Sequence, residues 1–182
     1  LYELLAEYYI INKDYPKGIN AINRSFVGKE SRDKKIRKHF ILGQLYQSEE
    51  IGDSAIFHYN KDISMNPEYE MAFRSQLNKA QAFAYSNNDP KELLIDYQKM
   101  LKDDKNNEYR DQIFYAISEI YLNQPDTLLA VENLNSSINS FLFNVDQKQQ
   151  SHLKLGEIYF NQKDYSNSFL QYDSVMNIIN TE

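Results

Sequence analysis

The chain has 182 residues, 42% hydrophobic and 14% aromatic, which is ample apolar surface for a packed core and argues against disorder. A net charge of −6 and a pI near 5.2 argue against bulk attraction to nucleic acid. The absence of cysteine excludes disulfides, thiolate catalysis and cysteine-held zinc within this chain. No run approaches the ~18 apolar residues of a membrane span.

In chain order, apolar periodicity and polar breaks predict ten helices, over 1–12, 15–27, 33–48, 53–65, 68–86, 90–103, 108–122, 126–140, 147–161 and 165–180. No strand pattern competes with them. Breaks such as Asn12-Lys13-Asp14, Ser48-Glu49-Glu50 and Asn161-Gln162-Lys163-Asp164 separate paired helices. Pro16, Pro90 and Pro125 fall in or just after such breaks, where a first-turn proline loses no helical hydrogen bond. Connections this short make each helix pack on its sequence neighbour.

The pairs repeat. Ala6, Gly43, Gln81, Ser118 and Gly156 serve as markers, spaced by 37 or 38 residues. Twelve residues after each marker stand Gly18, Ala55, Leu93, Ala130 and Ser168, mostly small. Sixteen residues after it stand Ile22, Tyr59, Tyr97, Leu134 and Tyr172, always large. Three after it stand Tyr9, Tyr46, Ala84, Tyr121 and Tyr159. The best copy, Leu42-Gly43-Gln44-Leu45-Tyr46, reads as a ridge with a notch at Gly43, into which the second helix is expected to lay its small residue. Gly28 and Gly52 read as parts of connections.

Large-small-x-x-Tyr on one helix and small-x-x-x-aromatic on the next resembles the tetratricopeptide repeat. The resemblance implies an all-α fold, an α-solenoid wound as a right-handed superhelix of about five such helix pairs. It makes 1–182 a single array, with repeats near 1–30, 31–67, 68–106, 107–143 and 144–182. The third repeat departs, with Gln81 and Ala84 where a small residue and Tyr are usual. Leu1 falls in mid-helix pattern, and Ile178 and Ile179 keep the last helix apolar near its end. The sequence therefore reads as a fragment whose repeats continue.

Three stretches carry a narrower likeness: Arg32-Asp33-Lys34-Lys35 running into His39-Phe40-Ile41-Leu42-Gly43-Gln44-Leu45-Tyr46, then residues 66–73, then residues 101–116. Together they resemble the repeat region of the SprE/PorW lipoproteins of Bacteroidota. That resemblance implies a periplasmic, outer-membrane-associated adaptor in gliding motility and type IX secretion, with secretion-machinery proteins as partners. Membrane attachment would come only through a lipid anchor outside this segment. The alternative is a cytosolic tetratricopeptide regulator that binds a peptide or a partner protein.

Catalysis has little to stand on: there is no phosphate loop, nucleophile elbow or paired histidine on one helix face, and no cofactor or metal is expected. His39 and His152 share a register, four residues before their markers, and read as packing histidines. The concave groove of a helical solenoid is its default binding surface. Glu7, Phe40, Gln44, Gln47, Asn78, Tyr85, Tyr115, Glu119, Leu122, Glu157 and Phe160 are expected to line it and to hold a protein or peptide. Rings there supply apolar area at low entropic cost. Glu7, Glu119 and Glu157 disfavour a ligand held by its terminal carboxylate. Lys29, Arg32, Lys34, Lys35, Arg37 and Lys38 form a possible basic docking patch for an acidic partner or anionic head groups. No nucleic-acid partner is expected.

Overall fold

A computed structural model describes residues 1–26, 28–124 and 127–179. It contains ten α-helices: α1 (Tyr2–Ile11), α2 (Tyr15–Ser25), α3 (Arg32–Ser48), α4 (Gly52–Ser64), α5 (Tyr69–Phe83), α6 (Pro90–Lys102), α7 (Arg110–Leu122), α8 (Thr127–Asn139), α9 (Val145–Asn161) and α10 (Tyr165–Ile179). Among the described residues one 3₁₀ segment, Asp104–Tyr109, enters α7. There is no strand among the described residues. Every expected helix is present to within a turn. The expected start of the eighth helix at 126 and end of the tenth at 180 fall outside the described residues, as do Val27 and Pro125.

The helix contacts gather into two compact units, Leu1–Asp89 and Pro90–Glu182. The boundary between these units falls inside the third expected repeat, between α5 and α6. That is the repeat in which Gln81 and Ala84 replace the residues of the joint.

In the first unit, α1 pairs with α2 and α3 with α4, and α2–α3 and α4–α5 are packed junctions. The α3–α4 joint has Gly43 at its centre. A methyl group added to Gly43 would lie 2.5 Å from Cε1 of Tyr59, whose ring is fully buried. The notch therefore receives the large residue at the sixteenth position rather than the small one at the twelfth. A ring reaches across the notch, whereas a small side chain serves by letting the two backbones close up. Gly52 does more than connect. It opens α4, and an added methyl group there would collide with the carbonyl oxygen of Ala82 on α5. The Gly52 N–H donates to the Tyr85 carbonyl at 3.0 Å.

In the second unit the α9–α10 joint repeats the arrangement. A methyl group on Gly156 would lie 2.6 Å from Cε1 of Tyr172, and the Ser168 hydroxyl donates to the Gly156 carbonyl at 2.9 Å. The small residue thus sits on the marker's backbone while the ring covers its Cα. Leu134, Leu155 and Ile158 form the core shared by α8 and α9, with Tyr115 and Leu122 of α7 packed against it.

Three helix pairs turn in the same way without a glycine. Lys13, Glu50 and Lys163 each stand seven residues after a marker and adopt φ of 57°, 59° and 63°. The N–H of the next residue donates back across the turn: Asp14 to Tyr9, Ile51 to Tyr46 and Asp164 to Tyr159, all at 2.9 Å. This is the Schellman closure of a helix C-terminus. The carbonyl of the recurring tyrosine thereby fixes the angle at which the second helix enters.

Junctions between repeats are closed by buried polar groups, which apolar periodicity cannot reveal. Lys38 on α3 donates to the Ser25 carbonyl of α2 at 2.9 Å and pairs with Glu30 and Glu3. The Ser75 hydroxyl on α5 donates to the carboxylate of fully buried Asp62 on α4. Ser137 on α8 and Ser151 on α9 meet at 2.8 Å, with both hydroxyls buried.

Candidate binding grooves

In the first unit a recess of about 460 Å³ opens between α1 and α3. Ala6, Ile22 and Ile41 supply apolar lining, Glu3 and Glu7 stand on the α1 side, and Lys34 and Arg37 on the α3 side. Glu7 and Arg37 are both exposed. One face thus offers apolar area between charges of opposite sign, the form that suits a polypeptide segment with side chains of both kinds.

Further along this unit, the predicted groove residues of α3 and α5 form a hydrogen-bonded chain. The Tyr59 hydroxyl donates to Gln47 Oε1 at 2.7 Å, and Gln47 Nε2 donates to Gln81 Oε1 at 2.8 Å. Asn78 also hydrogen-bonds the Tyr59 hydroxyl, and burial drives that phenol's pKa well above its ordinary value. Gln47 and Asn78 are therefore held by the joint, while Gln44 is exposed. Phe40 is half-buried, its ring edge-on to Tyr59 at 6.2 Å. Tyr85 is exposed at the start of the α5–α6 connection, with its backbone against Gly52.

In the second unit Tyr115, Glu119 and Glu157 come together. Burial raises the Tyr115 pKa, and the carboxylates of Glu119 and then Glu157 raise it further, so the phenol stays protonated. Glu157 also pairs with Lys154 at 3.1 Å. Leu122 is half-buried in the α7–α9 core rather than open to solvent. Phe160 is exposed and meets Tyr165 edge-on at 5.6 Å.

The basic cluster is divided by packing. Lys38 leaves it: the side chain is buried and neutralised by Glu30 and Glu3. Burial alone would lower its pKa, but these ion pairs outweigh it and hold the ammonium above its ordinary value. Arg32 turns its guanidinium onto the carbonyls of Met65 and Asn66, closing the C-terminus of α4. Lys29, Lys34 and Arg37 remain exposed and Lys35 is half-buried.

The histidines occupy one more registered joint. His39 and His58 face each other across α3 and α4, Nδ1 to Nδ1 at 2.9 Å. His58 stacks on Tyr46 at 5.3 Å, and His39 packs near Phe26. In the α9–α10 pair the same two positions are His152 and Gln171, bonded at 2.8 Å. Burial lowers the pKa of both His39 and His58, that of His58 to about 4. These are packing histidines, and no group of three or more metal-ligating side chains exists among the described residues.

The ten described helices, and the registered joints within each unit, have one meaning. The chain is an all-α helical repeat. The crystal structure of the apo form of RapI, a TPR-like helical-repeat protein, superposes on it with a TM-score of 0.68. At 17% identity, 99% of this chain and 69% of RapI are covered, so the likeness is one of fold. No protein-family model matches the chain, and no curated protein matches its sequence.

Proposed function

We propose that this helical repeat is a non-catalytic scaffold that holds a protein or peptide segment against the inner faces of its first helices. The observation that carries the reading is the α1–α3 recess, where apolar floor residues lie between Glu7 and Arg37. A segment with an apolar anchor flanked by a cation and an anion matches it in chemistry. Tyr85, Tyr115 and Phe160 extend the same type of surface within their own units. Titrating a fluorescent peptide library against the chain tests this. Peptides with such a pattern should bind, and the double variant Glu7→Lys, Arg37→Glu should lose them by tenfold or more. Equal binding to the charge-reversed variant would overturn the reading.

The setting we assign is the cell envelope, as an outer-membrane-associated adaptor for type IX secretion and gliding. Support comes from the stretches at 32–46, 66–73 and 101–116 that resemble the SprE/PorW lipoproteins. Capture from fractionated cells should enrich secretion-machinery proteins of the envelope, weakened by substitution of Phe40, Tyr85, Tyr115 or Phe160. A capture made up only of cytosolic proteins would overturn that setting and favour a cytosolic regulator.

A further inference from the structure

Among the described residues, the connections between repeats are polar at their tips, with one exception. The α2–α3 connection carries Lys29 and Glu30, α4–α5 carries Asn66 and Glu68, and α6–α7 runs through Asp104, Lys105 and Asn107. The α8–α9 connection, Ser140-Phe141-Leu142-Phe143-Asn144, is apolar instead. Leu142 is 50% exposed and Phe143 84%, more than any other aromatic side chain among the described residues.

This tip takes no part in the repeat junction beside it. There α8 and α9 are joined by buried Leu134, Leu155 and Ile158 and by the Ser137–Ser151 pair. The tip is held in shape from both sides. Asn144 caps α9 by accepting from the Gln147 N–H at 3.1 Å. The Val145 N–H donates to the Phe143 carbonyl at 3.0 Å, and the Phe141 N–H to the Ile138 carbonyl at 3.3 Å. Lys148, on the first turn of α9, lays its ammonium 4.6 Å from the centre of the Phe141 ring. No residue from Asn139 to Val145 is charged.

The size of the tip decides what covers it. Two side chains on a bend, with Asn139, Ser140 and Asn144 around them, fall far short of the ~800 Å² per partner that a stable protein interface buries. A lipid surface sets no such minimum, because binding there scales with whatever apolar area reaches the boundary between headgroups and acyl chains. A seven-residue run without charge avoids the main cost of entry. The bend itself stays at headgroup level, where water reaches its peptide groups. We propose that residues 141–143 form a lipid-contacting wedge, with Leu142 and Phe143 inserted into the bilayer interface and Lys148 against a lipid phosphate. The ammonium lies at the base of the rings, the depth at which a long cationic side chain meets headgroups. This contact goes beyond the peptide-binding reading and stands whether or not that reading holds. It is weak by itself and serves to orient a chain held at a membrane by other means.

The chain contains no tryptophan, so Phe143→Trp places a single reporter at the tip. An oligohistidine tag on a flexible linker holds the chain on phosphatidylcholine vesicles doped with a chelating lipid, which raises the effective concentration of the surface without adding a contact. Emission should shift to the blue and be quenched roughly twofold or more by brominated acyl chains. Leu128→Trp, on the first turn of α8 and so at the other end of that helix, replaces a side chain 79% exposed and should show neither change. Adding Leu142→Ser to Phe143→Trp should weaken insertion about tenfold. All three substitutions fall at exposed positions, and unchanged circular dichroism melts would verify the folds. Unshifted, unquenched emission from Phe143→Trp would overturn the proposal. Equal quenching of Leu128→Trp would do so too, because it means adsorption without orientation. A tip reporter already shifted to the blue before lipid is added, and restored by dilution, would mean that the tip docks on protein and would likewise overturn it.

Discussion

Gly43 and Tyr59 are locked together: the ring lies where a side chain on Gly43 would have to go, 2.5 Å from an added Cβ, and Tyr59 is fully buried with its hydroxyl tied to Gln47. The ring cannot swing away without breaking that bond and opening the α3–α4 joint. Gly43→Ala should therefore cost about 1–3 kcal/mol, the usual range for overpacking a closed core. Gly156→Ala meets Tyr172 in the same way, at 2.6 Å, but that ring is 37% exposed and free to yield outward. Its cost should be the smaller of the two. Urea unfolding of both variants measures the difference, and equal losses would show that ring burial does not set the penalty.

The His39–His58 bond makes the same joint sensitive to acid. Both imidazoles titrate below the ordinary value of about 6.5 in the folded chain. A depressed histidine pKa means that the unfolded chain binds protons first. Stability from this source is complete above pH 6.5 and is lost as pH falls toward the His58 value of about 4. With partial exposure of the rings taken into account, the loss should be on the order of 1–2 kcal/mol. His58→Gln copies what the fifth repeat already does with Gln171. It should keep the cross-helix bond and lower the loss between pH 7 and pH 4.5. Urea midpoints at the two pH values decide it; an unchanged loss would place the acid sensitivity elsewhere.

The turn at Glu50 offers a gain instead. A non-glycine residue in the left-handed region costs roughly 1–2 kcal/mol, because Cβ crowds the following carbonyl. Glu50 adopts φ 59° and is exposed, so its side chain returns little in packing. Glu50→Gly should raise stability by about 0.5–1 kcal/mol, net of the added freedom of glycine in the unfolded chain. Lys13→Gly and Lys163→Gly should do the same, with φ of 57° and 63°. Thermal melts of the three single variants measure it.

How much of this was legible beforehand follows the range of each interaction. Helix pairing and the repeat phase are local signals, carried by residues such as Gly43, Tyr46 and Tyr59 at fixed offsets, and they correspond to real joints. Which residue fills the notch was misread because spacing shows that two positions face a third, not which side chain reaches it. The αL turns were hidden because Lys13, Glu50 and Lys163 are not residues that advertise positive φ. Lys38 and Arg32 looked like surface charge because their partners, Ser25, Glu30, Met65 and Asn66, lie in other helices or connections. For the groove, repeat register led to the expectation that Phe40, Gln47 and Leu122 line it. Only packing shows that all three are partly taken up by the fold.

Asp62 brings an opposing pH dependence into the first unit. It is fully buried at α4–α5, where Ser75 satisfies one carboxylate oxygen and no hydrogen-bond partner is found for the other among the described residues. Burial raises its pKa more than the Ser75 hydroxyl lowers it. A raised carboxyl pKa favours the protonated form in the folded chain. The charge thus destabilises the fold at neutral pH, and the deficit closes as pH falls through the folded pKa toward the ordinary value of about 3.9. Asp62→Asn removes the charge while keeping an acceptor for Ser75, and should raise stability at pH 7 by about 1–2 kcal/mol. Its advantage over the wild type should shrink on acidification, whereas the benefit of His58→Gln should grow. His58 and Asp62 stand one turn apart on α4, so the double variant should depart from the sum of the two single effects. An Asp62→Asn chain less stable than the wild type at pH 7 would mean that the ionised carboxylate is held by more than Ser75.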